Sequence, residues 1–303
     1  MNKRHLTGVI GLAAAASLAL AGCASNGDTD AGNTSEGDSK GTITLGFLPA
    51  WTDGLSTAYL LEDQLGKLGY DVEMTELTEA GVLYAGLAGG DFDMYPSAWP
   101  EVTHADYMKQ YEDKIEDLGG YYDGAVLTIA VPEYMTDVNS IEDLKGQADR
   151  FDGEIIGIEP GAGLTKQTQE SMMPEYGLDS EYKLVTSSTA AMLATLQSKI
   201  DKEEDVVVTL WRPFWANDAY PIKDLKDPKG AMGEPEALHF LGTKGFSEEF
   251  PEAADYIKNV KLDDAAYAAL ESLITSDEYE KDGQGAVQEW LKDNADAYPG
   301  LIA

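Results

Sequence analysis

Twice along this chain a short apolar run gives way to a helix-like stretch and back again. That alternation restricts the fold to an α/β architecture with parallel neighbouring strands. In the first unit, 42–48 reads as a strand. A helical pattern follows, with Leu55, Ala58, Tyr59, Leu61, Leu65 and Leu68 largely on one side and Gly69 as its stop. A strand at 72–77, a helix over 79–88 and a strand at 92–95 complete it. The pattern restarts at 155–158 and continues through a helix at 164–176, a strand at 183–186, a helix at 189–200 and a strand at 206–210. Two extended segments, 126–132 and 237–243, join the units. The expectation is therefore two lobes, each a mainly parallel sheet flanked by helices, with a cleft between them and 41–130 plus 243–303 opposite 131–242. The apolar stripes Tyr256-Ile257, Leu270-Leu273-Ile274 and Val287-Trp290-Leu291 follow the return crossing, so these C-terminal helices are expected on the first lobe.

The other end of the chain carries processing information. Asn2-Lys3-Arg4-His5 is a basic start, 6–21 is apolar and alanine-rich, and Leu20-Ala21-Gly22-Cys23 closes the stretch. This reads as a secretory signal over 1–22, too short to be a membrane-spanning helix. Cys23, the sole cysteine, stands at the cleavage point. It resembles the lipidated first residue of a bacterial lipoprotein and excludes a disulfide framework. Residues 23–40 carry almost no apolar side chains and read as a flexible tether. The formal charge is −34. Such a surface argues against nucleic acid as a partner, because phosphate binding needs clustered Lys and Arg. The expected location is outside the cytoplasm, anchored to the membrane through Cys23.

Three tryptophans follow strand-like runs: Trp51 after 42–48, Trp99 after 92–95 and Trp211 after 206–210. Ligands of open α/β sheets bind outside the carboxyl ends of the strands. One tryptophan there is an ordinary core plug; three can converge and hold a cation that has no hydrogen-bond donors. Glu159-Pro160-Gly161-Ala162-Gly163-Leu164-Thr165 lies between a strand and a helix. It reads equally as an anion site built from free N–H groups or as a plain glycine-rich turn. His104, five residues past Trp99, is either a donor to an anionic ligand group or a helix-start histidine. Asp53 either biases ligand choice or caps the following helix. Histidines are few and the cysteine lies outside the domain, so no metal site is expected; no cofactor motif and no nucleophile elbow occur either.

Several segments appear together in order: 47–54, Thr78-Glu79-Ala80-Gly81, Ser97-Ala98-Trp99 through Thr103-His104, Val138-Asn139-Ser140-Ile141-Glu142-Asp143-Leu144-Lys145, 155–163, Lys183-Leu184-Val185-Thr186-Ser187-Ser188 and Trp211-Arg212-Pro213. Together they resemble the glycine betaine-binding proteins of osmoprotectant ABC transporters. The resemblance implies a hinged, two-lobed periplasmic-binding-protein fold of type II and no enzymatic activity. By matching motifs it implies a trimethylammonium cage of Trp51, Trp99 and Trp211, with the carboxylate held by His104 and the N–H groups of Gly163 and Leu164. It further implies a monomeric carrier that delivers a zwitterionic osmolyte to a membrane permease, with an ATPase as an indirect partner. A choline or carnitine carrier is the alternative of the same fold; a secreted hydrolase is the alternative of another class. One departure stands out. The family's Trp-x-Pro-His-Trp is here Trp211-Arg212-Pro213-Phe214-Trp215, with Phe214 expected to be structural. Trp215 and Trp290 are expected to pack.

Overall fold

The computed structural model describes residues 39–298 and 300–302; Cys23, the signal and most of the tether lie outside them. Nine strands are present among the described residues: β1 (Thr42–Phe47), β2 (Asp71–Glu76), β3 (Met94–Ala98), β4 (Ile115–Pro132), β5 (Glu154–Ile156), β6 (Lys183–Val185), β7 (Val208–Arg212), β8 (Ile222–Asp224) and β9 (Glu236–Thr243). They pair in the order β2-β1-β3-β9-β4-β7-β5-β6, with β8 beside β4.

The first half begins with β1, which buries Ile43, Leu45 and Phe47 through alternate positions. The helix Thr52–Lys67 follows, burying Ala58, Leu61 and Leu65 against the sheet. Gly69 stops it with a left-handed φ of 96°. β2 then lies parallel to β1 from Thr42↔Asp71 to Phe47↔Glu76. The helix Ala80–Gly89 returns the chain, and β3 pairs parallel on the other side of β1. The second half repeats the device, with β5 parallel to both β6 and β7.

The join between the halves departs from the sequence reading. β4 is an 18-residue strand, far longer than the apolar stretch that announces it. Its first part, Ile-Glu-Asp-Leu-Gly-Gly-Tyr-Tyr-Asp-Gly, lacks strand patterning because its register against β9 shifts three times. Gly119 and Gly124 supply the left-handed φ values of 106° and 92° in that irregular region. From Ile115 to Ala125 this strand pairs antiparallel with β9; from Val126 to Ala130 it pairs antiparallel with β7. A single strand thus runs through both halves. β9 pairs with β3 and with the first part of β4, so it belongs to the first half of the sheet.

The helix expected at 164–176 also differs in detail. It runs as an α-turn Gly163–Gln167, a π-helical turn Thr168–Met172 and a second α-turn Met173–Tyr176. Pro174 lies just past the π-turn. It has no N–H, and its ring crowds the carbonyl four residues back, which favours the wider register there.

The helices Asp264–Ile274 and Gly283–Asn294 pack on the first half. Trp290 is buried, and its Nε1 donates to the Ala266 carbonyl at 2.9 Å. Gln284 Nε2 donates to the Tyr59 carbonyl at 3.3 Å. Among the described residues no helix is long and apolar enough to cross a membrane.

Candidate ligand-binding site

All six residues singled out for binding line one cavity between the two halves: Trp51, Trp99, His104, Gly163, Leu164 and Trp211. Counted out to its open mouth, it holds about 310 Å³ of empty space. Asp53, Thr103, Leu127, Ile158 and Ala162 complete its lining.

The first-half wall is made of side chains locked by hydrogen bonds. Trp51 stands at the N-cap of the helix Thr52–Lys67, just beyond β1, and its Nε1 donates to Glu159 Oε2 at 3.2 Å. Glu159 belongs to the second half, so this bond crosses the cavity. The same carboxylate accepts from Thr189 N at 2.8 Å and Thr189 Oγ1 at 2.9 Å. Trp99 follows β3 directly. Its Nε1 donates to Asp53 Oδ2 at 3.1 Å, and Ser97 Oγ donates to the same oxygen at 2.6 Å. Burial pushes the Asp53 carboxyl above its ordinary pKa, and the donors from Ser97 and Trp99 act against that rise. Each indole of this wall therefore donates to a buried carboxylate. Such a bond fixes the ring plane and polarises the ring toward the electron-rich state that attracts a cation.

His104 is fixed by its own loop. Its N–H donates to the Trp99 carbonyl at 2.7 Å, and Trp99 N donates back to His104 Nδ1 at 3.2 Å. A backbone N–H can only donate, so Nδ1 carries the lone pair and Nε2 carries the proton. Burial pushes the imidazole down to about 3, so it is neutral near pH 7. Trp51 stacks on it at 6.0 Å and 15°. The histidine thus offers one N–H donor at the cavity wall and no charge.

The second-half wall is built largely from backbone. Gly163 and Leu164 open a helix, and their N–H groups have no intrahelical acceptor. The preceding turn is held by Ala162 N to the Glu159 carbonyl at 3.1 Å and by Thr165 Oγ1 to the same carbonyl at 2.8 Å. The position needs glycine: a Cβ on Gly163 would stand 2.1 Å from the Thr103 carbonyl oxygen, on the facing half. Trp211 lies within β7 rather than beyond it, opposite Leu127 of β4. Phe214 stacks on Trp211 at 4.0 Å and 22°, so it backs the Trp211 ring.

Other contacts had no sequence signal. The buried carboxylate of Glu236 accepts from the N–H groups of Glu101, Val102 and Thr103, each at 3.0 Å, which pins the loop between Trp99 and His104. Tyr107 OH donates to the Gly161 carbonyl at 3.0 Å, and Lys166 pairs with Asp106; both contacts join the halves beside the cavity. Asp53 proves to be more than a first-turn acid, since it holds Trp99 and lines the cavity. Trp215 is half-buried and borders a different cavity. His239 lies away from the site, bound to Asp117 at 2.8 Å.

A two-part α/β fold with an aromatic cavity between its parts is the architecture of a solute-binding protein, which encloses a small molecule between two walls. Residues 41–293 match the substrate binding domain of ABC-type glycine betaine transport systems, and the chain belongs to that family. It is 33% identical over 154 residues to the glycine betaine/carnitine transport binding protein GbuC of Listeria monocytogenes. That match covers 50% of this chain and spans only 50% of the Listeria protein. Among solved structures, the glycine/betaine/L-proline-binding protein ProX of Borrelia burgdorferi is 30% identical with a TM-score of 0.78, covering 86% of this chain and 97% of that one. Lactococcal OpuAC in its closed-liganded conformation with glycine betaine is also 30% identical with a TM-score of 0.78, covering 86% and 99%. These similarities establish the periplasmic-binding-protein fold of type II.

Proposed function

We propose that this protein captures glycine betaine or a related quaternary ammonium osmolyte outside the cytoplasm and delivers it to an ABC permease. The observation that carries the reading is the convergence of Trp51, Trp99, Trp211, His104 and the Gly163–Leu164 amides on one cavity. The indole faces receive the trimethylammonium group, which has no donors of its own. The His104 Nε2–H and the two amides receive the carboxylate. Each desolvated cation–π contact contributes about 2 kcal/mol. Three such contacts plus the charge-assisted hydrogen bonds support binding of about −8 kcal/mol, in the micromolar range, after association costs. Binding alone accounts for the arrangement, so the reading is of a carrier and not an enzyme, acting as a monomer.

The partner exchange of β4 at Ala125 and Val126, and the pairing of β9, favour hinge points near 125 and just before 236. These lie a few residues from the sequence borders 130/131 and 242/243. A ligand touching both walls would stabilise the closed arrangement that the permease reads. Cys23 would carry the lipid that keeps the carrier at the membrane. Asp53 in the same cavity favours a second reading, a carrier for a net cation such as choline. Titration calorimetry with betaine, proline betaine, carnitine, choline and alanine tests both readings. Betaine binding tightest supports the first, and choline binding tightest supports the second. Absence of heat with every quaternary ammonium would overturn both.

A further inference from the structure

The loop from Trp99 to His104 carries two of the cavity's side chains and is tied to a single carboxylate. Glu236 is 5% exposed. Its Oε2 accepts from Glu101 N and Val102 N and its Oε1 from Thr103 N, each at 3.0 Å, and Thr103 Oγ1 also donates to Oε1. Three successive N–H groups turned to one anion form a nest, and removing the anion leaves those donors unpaired. The tie is reciprocal, because Ala237 N donates to Glu101 Oε2 at 2.9 Å.

The place of Glu236 in the chain gives these bonds a second meaning. It is the first residue of β9 and pairs with Ala125, the last step of the β4–β9 ladder before β4 turns to β7 at Val126. Both crossings between the halves therefore pass through this point. The chain just before it goes with the second half: β8 lies beside Ala130–Pro132, and the Ala231 carbonyl accepts from Gln167 Nε2 at 2.8 Å. Gly233, with a left-handed φ of 98°, lies against the same loop; a Cβ there would stand 2.7 Å from Val102 Cγ1. The loop thus touches the return crossing on both sides of the hinge point. Val102 meets it before the hinge, and the three N–H groups meet it after. A change of angle between 233 and 236 cannot preserve both contacts. Four hydrogen bonds to a carboxylate outweigh one methyl against an α-carbon. When the halves part, Val102 leaves Gly233 and the loop stays with Glu236.

We propose that Glu236 is a positioning residue for ligand capture, holding the loop of Trp99 and His104 in its binding geometry whether the hinge is open or closed. This deepens the hinged-carrier reading and rests on it. A loop without that anchor would be ordered only by the ligand, and the ordering would be subtracted from the affinity. The rings that face His104 belong to Trp51, Tyr84 and Tyr107. Both tyrosines are held above their ordinary pKa by burial, so neither titrates between pH 5 and 8.

The test compares the full chain with Glu236→Gln and Glu236→Asp. Glutamine turns an NH2 toward N–H donors; aspartate keeps the charge on a shorter stem. Hydrogen exchange of the ligand-free proteins reads the loop directly. Exchange over 99–104 should be slow in the wild type and about tenfold faster or more in Glu236→Gln, with Glu236→Asp between them. His104, followed by imidazole NMR, should stay neutral through pH 5 in the wild type, as its value of about 3 requires, and should titrate nearer 6.5 in Glu236→Gln. Glycine betaine should bind at least about tenfold more weakly to Glu236→Gln and recover in part in Glu236→Asp. Glu116→Gln, which alters the acceptor of Ser247 N, should change none of these. Should Glu236→Gln fail to fold, Glu236→Asp reads the same quantities. A wild-type loop protected only after betaine is added would overturn the proposal. So would a loss of affinity with loop exchange and the His104 titration unchanged. Failure of the wild type to bind any quaternary ammonium would sink the carrier reading, while the two ligand-free measurements would still decide whether Glu236 holds the loop.

Discussion

The two walls of the cavity are built on opposite principles. The first-half wall is a set of side chains, Trp51, Trp99 and His104, each fixed by a hydrogen bond to a carboxylate or to its own loop. The second-half wall presents two backbone amides and one indole on a strand, set by the helix start at Gly163 and by the register of β7. One wall is specified by which residues stand there; the other is specified by where the chain runs. The first wall should therefore fail when a side chain is shortened, and the second when one is added.

The sharpest break of that contrast is Gly163→Val. Its Cβ meets the Thr103 carbonyl, so the walls cannot approach. Betaine binding should weaken at least about a hundredfold, roughly 3 kcal/mol, while the thermal midpoint stays close to wild type. A tight-binding Gly163→Val would show that the close approach is not needed. Next come the indoles. Trp51→Ala, Trp99→Ala and Trp211→Ala should each cost roughly 1–3 kcal/mol of binding with the fold retained. Near-native affinity in two of the three would remove the cage.

The histidine distinguishes the walls by pH. Its folded value is about 3, below the usual 6.5. The native state thus refuses a proton that the unfolded chain accepts. Stability from this group is complete above about pH 6.5 and is lost as pH falls toward 3, at about 2 kcal/mol between pH 7 and 5. Urea titrations of the wild type and His104→Gln should show a shallower acid loss in the variant; parallel curves would mean that His104 is not buried neutral. The smallest effect concerns the anion end. Choline lacks the carboxylate and should bind at least about tenfold more weakly than betaine, 1.4 kcal/mol. His104→Ala should narrow that gap. Equal affinities for the two ligands in the wild type would transfer the cation's counter-charge to Asp53.

What the sequence disclosed follows the same division. The parallel units and the three tryptophans were legible because apolar runs and large aromatics are local signals. The choice at 159–165, anion site or simple turn, was open because free N–H groups leave no residue-type mark. β4 was seen only from 125 onward, because its Gly- and Asp-rich first part gains its strand character from β9, more than a hundred residues away. Glu236 pins the loop between Trp99 and His104 across 133 positions to Thr103, a distance at which a chain this rich in carboxylates gives no hint of which one matters. The antiparallel pairing of β9 is of the same kind: composition announces a strand, and only tertiary contact assigns its neighbour.

The Trp51–Glu159 bond has a consequence for observation. An indole whose N–H points at a carboxylate emits differently from one in water, and this pair forms only when residues 108 positions apart are brought together across the cavity. The chain has five tryptophans, and three of them line the cavity. With Trp215 and Trp290 replaced by Phe, the remaining tryptophan emission would come from the cavity alone. Its wavelength would then read the distance between the walls in solution, without any attached dye.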